Sequence, residues 1–407
     1  MKQYLKLAWR NLWRNKRRTI ITLTSVILAV LLAVCMRSMQ KGTYANMIEN
    51  AVRFSTGYIQ IHAKGYWDEP SLNNSFENND LLDSLIGNNK NITLAVPRME
   101  SYVLASSGDH TKGVQVIGVD PRKEDALNGL SDKLKQGSYF SADDAGILVG
   151  DELSSYLDLS VGDTMILLGQ GYQGMTAAGK FPVKGIFHFP DKRMNSSLVY
   201  LPLIACQQLF IAYDRYTSLS LMLKNPTGQS RTVTELSSQL DTNNWEVMPW
   251  EAMNKTLTQE IAGDNAGGVI MLGILYVVIA FGVFGTILMM TMERRKEFSV
   301  MVAIGLKRTR LIILLTLETL FIGILGVSTG IILAMPVLVY FKLNPVRITG
   351  DAAQMFEQFG IEPIMPASLN PEIFVHQGIT VLIISLVASL YPLIYVARFD
   401  ILNALKR

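Results

Sequence analysis

Cysteine and histidine are both scarce in this sequence. There are two cysteines, Cys35 and Cys206, in 407 residues. That excludes a disulfide-stapled scaffold and any paired-cysteine zinc or redox motif. The four histidines (His62, His110, His188 and His376) stand at no metal-ligand spacing, so each reads as an ordinary surface or core histidine, and no metal is expected. No nucleophile–base arrangement or paired-acid motif is present, and a catalytic role is not expected. Charged residues make up 17% of the chain and the net charge is +3; no nucleic-acid partner is expected.

One stretch imitates a nucleotide site. "GQGYQGMTAAGKF", residues 169–181, contains G-x-G-x-x-G (Gly169, Gly171, Gly174) and a near match to G-x-x-x-x-G-K-[ST] through Gly174, Gly179 and Lys180. A phosphate loop needs a strand before it and a helix after it. The strand is there, in "TMILLG", but the helix is not: the chain reaches Pro182 and continues as another strand. Phe181 also stands where Mg²⁺ binding needs a hydroxyl. A glycine-rich connection between two antiparallel strands is the expected structure.

The apolar residues, 49% of the total, concentrate in four runs at about 19–36, 269–292, 311–341 and 373–397. The last three exceed the length that crosses a bilayer core, and the first is near its lower limit. No A-x-A site follows the first run, and Val34 precedes Cys35 where a lipoprotein acylation box needs a small residue. Retention as a membrane anchor is expected. Seven Lys/Arg and no acid occur in residues 1–18, and residues 293–310 carry six Lys/Arg against Glu293 and Glu297. Residues 398–407 carry three against Asp400, whereas 41–265 carry eighteen against twenty-six Asp/Glu. Cytoplasmic short loops are the Lys/Arg-rich ones. The expected order is therefore a cytoplasmic-face helix 1–18, span 19–40, external domain 41–265, span 266–292, cytoplasmic loop 293–310, span 311–341, short external loop 342–374, span 375–397 and cytoplasmic tail 398–407. That puts the glycine-rich loop outside, where ATP is scarce.

Residues 2–18 form an amphipathic pattern, with Leu5, Ala8, Trp9, Leu12 and Trp13 on one face and Lys2, Lys6, Arg10, Arg14 and Arg17 on another. Such a helix suits the headgroup layer of the inner surface, and equally serves as a basic flank fixing orientation. The external segment reads as mixed α/β, with strand-like "TGYIQIHA", "ITLAVPRM", "KGVQVIGVD", "GILVG", "TMILLG", "FPVKGIF", "SLVYLP" and "TSLSLML". The second span is rich in glycine (Gly267, Gly268, Gly273, Gly282, Gly285), which fits a close helix–helix seam. Packing within one chain and a subunit interface stand level as explanations. Glu318 lies inside the third span, an intramembrane polar position expected to face protein rather than lipid. A buried hydrogen-bonding role is the preferred reading, with proton relay as the alternative and Arg37 an improbable partner. Pro336 and Pro392 are expected to kink their helices.

The loop between the second and third spans carries "MERRKEFSVMVAIGLKRTR". Glu297, Met301, Ala303 and Gly305 have the spacing E-x-x-x-[LM]-x-A-x-G; Phe298, Met301 and Val302 make a short apolar face, and Gly305 can end the helix with φ > 0. This segment resembles the coupling helix of the ABC transporter permeases that include the macrolide exporter MacB, the lipoprotein-releasing permeases and the FtsX-type cell-division permease. "LAWRNLWRNKRRTIIT" is similar to the family's N-terminal signature through Asn11, Leu12, Arg14, Lys16, Arg18 and Thr19. Glu318 and Gly326 fall where the family's third span has similar residues, and "YPLIYVARFDILNALKR" resembles its ending, with Ile401 where Pro is frequent. "TGYIQIHAKGY", "VIGVDP" and "FPVKGIF" look most like the lipoprotein-releasing branch.

The resemblance implies four transmembrane helices and a large periplasmic α/β domain, a porter-like unit with a β-rich insert at about 126–224. It implies a non-catalytic permease of the bacterial inner membrane that binds no cofactor itself. A separate cytoplasmic ATPase dimer would hold ATP and Mg²⁺ and push on Glu297, Phe298, Met301, Val302, Ala303 and Gly305. A second permease copy or paralogue, membrane lipid and a lipoprotein or amphiphilic substrate are the other implied partners. Lipoprotein release is the first expectation, with export of drugs or peptides through an adaptor, or mechanical activation of periplasmic hydrolases, as alternatives. At the outer-leaflet ends of the first two spans, Met36, Met39, Tyr44, Met47, Ile48, Val269, Ile270 and Leu272 are candidate substrate contacts, with plain packing as the competing reading.

Overall fold

Among the described residues, four helices are long and apolar enough to cross a membrane: Lys16–Ala51, Lys255–Glu293, Arg308–Leu343 and Pro371–Arg398. They are referred to below as the first to fourth spans. The computed structural model describes residues 2–398 apart from 15, 78, 352, 354, 355 and 357–361. The expected cytoplasmic tail, with Ile401, therefore lies outside the described residues, as does part of the short external loop. The chain divides into two units. One comprises Met1–Asn46, Glu260–Arg347 and Ile364–Arg407; the other comprises Met47–Gln259 and Ile348–Pro363.

In the helical unit the amphipathic N-terminal helix is shorter than the sequence pattern extends. It runs Lys2–Arg14, and the first span starts at Lys16. The two helices are tied by the Thr19 hydroxyl, which donates to the Leu12 carbonyl at 2.6 Å. The apolar face is also split. Ala8 and Leu12 are buried, whereas Leu5, Trp9 and Trp13 stay 38–43% exposed. One stripe therefore packs on protein while its neighbour stays partly exposed.

Close helix packing falls on the third span. A Cβ on Gly326 would lie 2.6 Å from Val26 Cγ1, and one on Gly330 would lie 2.8 Å from Val30 Cβ. Small residues four apart let two backbones approach, as membrane helix pairs require. The glycines of the second span play no such part. Positions 267, 273, 282 and 285 have no atom within 4 Å of a would-be Cβ, and only Gly268 approaches a neighbour, Gln40. This span packs its other stripe, through Leu272, Tyr276, Ile279, Val283, Ile287 and Met290. The third span remains one helix through Pro336, and the fourth continues past position 392.

The second unit is built on a ten-stranded sheet: β1 (Ile59–Ala63), β2 (Ile92–Ser107), β3 (His110–Val119), β4 (Leu134–Gly137), β5 (Ile147–Gly150), β6 (Thr164–Gln170), β7 (Thr176–Phe187), β8 (Leu198–Pro202), β9 (Ser218–Leu223) and β10 (Trp245–Pro249). The strand order is β10-β1-β9-β2-β3-β8-β5-β7-β4, with β6 pairing β2 and β7. All eight strand-like runs read from the sequence lie on these strands. β2 is the organising element. Its first half pairs β9 and its second half pairs β6, while β3 runs beside it from Arg98 to Ser107. The α/β half buries Ile59, Ile61, Leu219, Leu221, Leu236 and Leu240 between the strands and the helices Asp80–Asn88 and Gln229–Gln239. The β-rich half has its own core, including Val114, Val116, Ile147, Val149, Leu167, Val199 and Phe210.

The glycine-rich loop is a hairpin turn. β6 and β7 pair antiparallel from Thr164↔Pro182 to Gln170↔Thr176, and Gly171 N–H donates to the Met175 carbonyl at 2.6 Å. Gly174 has φ +77°, and a Cβ on Gly171 would meet the Phe210 carbonyl oxygen at 2.6 Å. The glycines serve turn geometry and close approach.

A buried ion pair sits where β2 leaves β9. Arg98 (1% exposed) donates from Nε and Nη2 to Glu124 (0% exposed) at 3.0 and 2.6 Å, and from Nη1 to the Ser55 carbonyl. Asn128 Nδ2 adds a third bond to Glu124 at 2.7 Å. Ser55 belongs to a π-helical turn, Val52–Thr56, which closes at Gly57 with φ +69°. Removing one partner leaves a buried charge alone, which costs about 3–5 kcal/mol, whereas an apolar replacement of both is often close to neutral. Glu124→Gln is thus expected to lower stability by about that amount, and the double variant Arg98→Met/Glu124→Leu by less than either single change. Denaturant unfolding of the purified chain, followed by tryptophan emission, measures all three. Additive losses would show that the two side chains are not a coupled pair.

Candidate functional site

The loop after the second span folds into a stub helix, Arg295–Ala303. Its sequence is mostly good helix formers, and Glu297 in the first turn complements the helix dipole. The end is a Schellman motif: Gly305, at φ +104°, donates its N–H to the Val302 carbonyl at 3.0 Å, and Leu306 donates to Met301 at 3.0 Å. Gly305 thus terminates the helix in the left-handed conformation its position in the sequence implied.

The apolar face of this helix turns inward. Phe298 is 2% exposed and packs with Ala8, Leu311, Leu314 and Leu315, and Met301 and Val302 lie half-buried against the same cluster. Burying a phenylalanine contributes roughly 1.5–3 kcal/mol, so this face anchors the stub to its own chain. That corrects the expectation that Phe298, Met301 and Val302 offer an apolar contact to a partner. The outward surface includes Lys296, Glu297, Val300 (47% exposed), Ala303, Ile304 (80% exposed) and Gly305. Ile304 was missed, although an isoleucine between Ala303 and Gly305 at the helix end is itself a signal.

Behind the stub lies a charge network. Glu318 is 1% exposed inside the third span, yet both of its oxygens are satisfied. Arg294 Nη1 donates to Oε2 at 2.5 Å, and Asn11 Nδ2 donates to Oε1 at 2.8 Å. Arg294 also reaches forward, from Nε to Glu297 Oε2 at 3.3 Å, and its guanidinium lies 5.1 Å from the Phe298 ring centroid. Arg14 binds the same Glu297 carboxylate from the N-terminal helix. Two arginines and two glutamates therefore connect the N-terminal helix, the end of the second span, the stub and the third span. A buried carboxylate needs such partners, and the guanidinium fork can serve two acceptors at once. Glu318 faces protein and accepts hydrogen bonds through both oxygens. Its cation is Arg294, which no pattern distinguishes from the other basic residues of the six in the loop. Asn11, noted only as part of an N-terminal signature, belongs to the same site.

The proposed substrate contacts do not share one environment. Val269 and Ile270 are 54% and 67% exposed, and Met36 and Met39 are half-buried. Tyr44 (7%) and Leu272 (5%) are covered. The Tyr44 hydroxyl donates to Asp264, whose Oδ2 also accepts from Gln40 at 3.2 Å. Tyr44 therefore belongs to a polar link between two helices rather than to an open apolar surface. In the second unit Met47 is buried at 9%, and Ile48 packs half-buried on Val52, Trp250 and Met253. Tyr44, Met47 and Leu272 are thus packed within the chain.

Two family models agree with this architecture. A MacB-like periplasmic core domain matches residues 19–243, and an FtsX-like permease C-terminal domain matches residues 269–401. A lipoprotein-releasing system transmembrane protein LolC from Xylella fastidiosa is 23% identical over 321 residues, 77% of each chain. The LolC of Neisseria meningitidis is 20% identical over 77% of this chain and 75% of its own. An uncharacterised ABC transporter permease of Mycobacterium tuberculosis is 22% identical over 69% of this chain and 34% of its own. Among solved structures, the periplasmic region of MacB from Actinobacillus actinomycetemcomitans aligns at TM-score 0.35 and 15% identity, covering 49% of this chain and 92% of that one. The extracellular domain of the transporter YknZ from Gram-positive bacteria aligns at TM-score 0.35 and 14% identity, covering 47% and 98%.

Arg294→Lys keeps the charge but not the fork, so a single ammonium has to choose between Glu318 and Glu297. Losing one charge-assisted hydrogen bond is expected to speed amide exchange across the stub helix by at least about tenfold. Hydrogen-exchange mass spectrometry of the purified chain reads this directly. Unchanged exchange in residues 297–303 would mean that Arg294 does not hold the stub.

Proposed function

This chain belongs to the ABC transporter permeases that carry a MacB-like periplasmic core domain and an FtsX-like permease C-terminal domain, and we propose from that premise that it couples ATP hydrolysis by a separate cytoplasmic ATPase to release of lipoproteins from the bacterial inner membrane. The observation that carries the coupling role is the stub helix, anchored by Phe298 and Arg294 and presenting Ile304 and Val300 outward. An exposed isoleucine at a capped helix end is a compact knob for a groove on another protein, and burying it against that groove adds roughly 1.5–3 kcal/mol. ATP and Mg²⁺ belong to the partner in this reading. Lipoprotein release is supported by relatives named for that system, at 20–23% identity over 77% of this chain.

A second permease copy or paralogue is part of the proposal. Ile270, Ile274, Val278 and Phe281 follow helical spacing on the second span with 62–71% exposure, beside Gly267, Gly273, Gly282 and Gly285, against which none of the described residues packs. A facing helix from another subunit suits such a surface. The open positions Val269 and Ile270 and the half-buried Met36 and Met39 remain the proposed contacts for an amphiphilic substrate.

Affinity purification of the tagged chain from native membranes tests the assignment. Co-purifying ATPase and lipoproteins are expected. An adaptor with an outer-membrane channel would replace release by export, and a cell-wall hydrolase would replace it by mechanical regulation. Ile304→Asp should cut ATPase recovery by at least about tenfold with unfolding unchanged, since it inverts the polarity of an outward contact. Phe298→Ala should instead destabilise the chain by about 3–5 kcal/mol, as core phenylalanine truncations do. If Ile304→Asp left ATPase recovery intact, the docking role of this helix end would be refuted.

A further inference from the structure

A cleft of about 480 Å³ opens between the N-terminal helix and the stub helix. Arg14, Arg294 and Lys296 supply three cations to its lining, and Glu297 is its one carboxylate. Leu7 and Val300 line it from the two helices and are 44% and 47% exposed. The cations are not equally committed. Arg294 is held by Glu318 and Glu297, and Arg14 shares Glu297 while its side chain stays 57% exposed. Lys296 is exposed and has no ion pair among the described residues.

We propose that this cleft is a binding site for the headgroup of an anionic glycerophospholipid, with the phosphate on Arg14 and Lys296 and an acyl chain leaving past Leu7 and Val300. Three observations select this ligand. The lining holds more positive than negative side chains, so it fits an anion. Its apolar residues stand on both helices, which suits a molecule that is anionic at one end and apolar at the other. The helix that forms one wall also exposes Leu5, Trp9 and Trp13 beside Lys2, Lys6 and Arg10, the composition of a helix lying at headgroup depth. A zwitterionic headgroup would bring its own ammonium to a cleft already containing three cations, so phosphatidylglycerol is favoured over phosphatidylethanolamine. The phosphate also competes with Glu297 for Arg14. Lipid binding therefore breaks the Arg14–Glu297 link between the two helices, while Arg294 and the packing of Phe298 on Ala8 keep their hold.

The proposal rests on the membrane placement of the chain and not on what the transporter moves. Its test uses the purified full chain in detergent, with lipid binding followed by native mass spectrometry and thermal unfolding. Phosphatidylglycerol is expected to bind more tightly than phosphatidylethanolamine. Arg14→Gln/Lys296→Gln should weaken phosphatidylglycerol by about thirtyfold, taking roughly 1 kcal/mol for each removed cation near anionic lipid. Glu297→Gln removes the competing carboxylate and should tighten it, a direction that damaged folding does not produce. Equal affinity for the two lipids, or an undiminished preference in the double variant, would overturn the site. Inorganic phosphate binding as tightly as the lipid would overturn the lipid assignment in favour of a free-anion site.

Discussion

A carboxylate buried among apolar helices must be neutralised by a group that can reach it, and here that group is Arg294. Its guanidinium faces two ways, to Glu318 inside the third span and to Glu297 on the stub helix. Because one side chain makes both contacts, the stub cannot shift without altering the environment of a 1%-exposed glutamate. The alternatives are expensive, since an unpaired charge at such a site costs several kcal/mol. Phe298 adds an apolar anchor on the same element. The short helix thus derives its orientation from tertiary contacts, as expected for nine residues that would be marginal alone.

The second unit uses a similar device at another helix end. Arg98 is fully enclosed, bidentate to Glu124, and donates from its third nitrogen to the Ser55 carbonyl in the π-helical turn Val52–Thr56. A π-turn leaves backbone groups displaced from regular α-helical pairing, so a buried side-chain donor to one of its carbonyls fixes a segment that would otherwise have several near-equivalent arrangements. In both units a single arginine connects a helix terminus to a buried carboxylate. Lysine cannot substitute well in either place, because only the planar fork binds two acceptors in fixed directions.

Much of this was legible in the sequence, for identifiable reasons. Apolar runs, charge asymmetry and β-alternation report on solvent, and solvent contact decides where spans, loops and strands fall. The hairpin at residues 169–181 was readable because Pro182 and the following β-pattern excluded the helix that a phosphate loop requires. The Schellman end at Gly305 was readable because few residues other than glycine adopt φ near +104°. What escaped were pairings. An amphipathic pattern says that Phe298, Ala8 and Leu12 want burial, but not that they bury against their own chain. Glycine content marked the second span, whereas the close contacts formed on Gly326 and Gly330 of the third. Arg294 was one of six basic residues until Glu318 came within 2.5 Å.

The distribution of charge along the spans bears on the kind of work proposed. Residues 19–36, 269–292 and 373–397 contain no Asp, Glu, Lys or Arg, and residues 311–341 contain only Glu318. A gradient-driven carrier is expected to place ionisable groups and broken helices near the bilayer midplane, where its cargo and coupling ions bind. Here the third span is a single helix, and its one carboxylate has both oxygens committed to Arg294 and Asn11. Both Glu318 oxygens are thus engaged in joining helices to one another. A permease built this way is suited to moving its helices as units. Displacement of the stub would be felt first at the Arg294 fork, and through it by the second and third spans together.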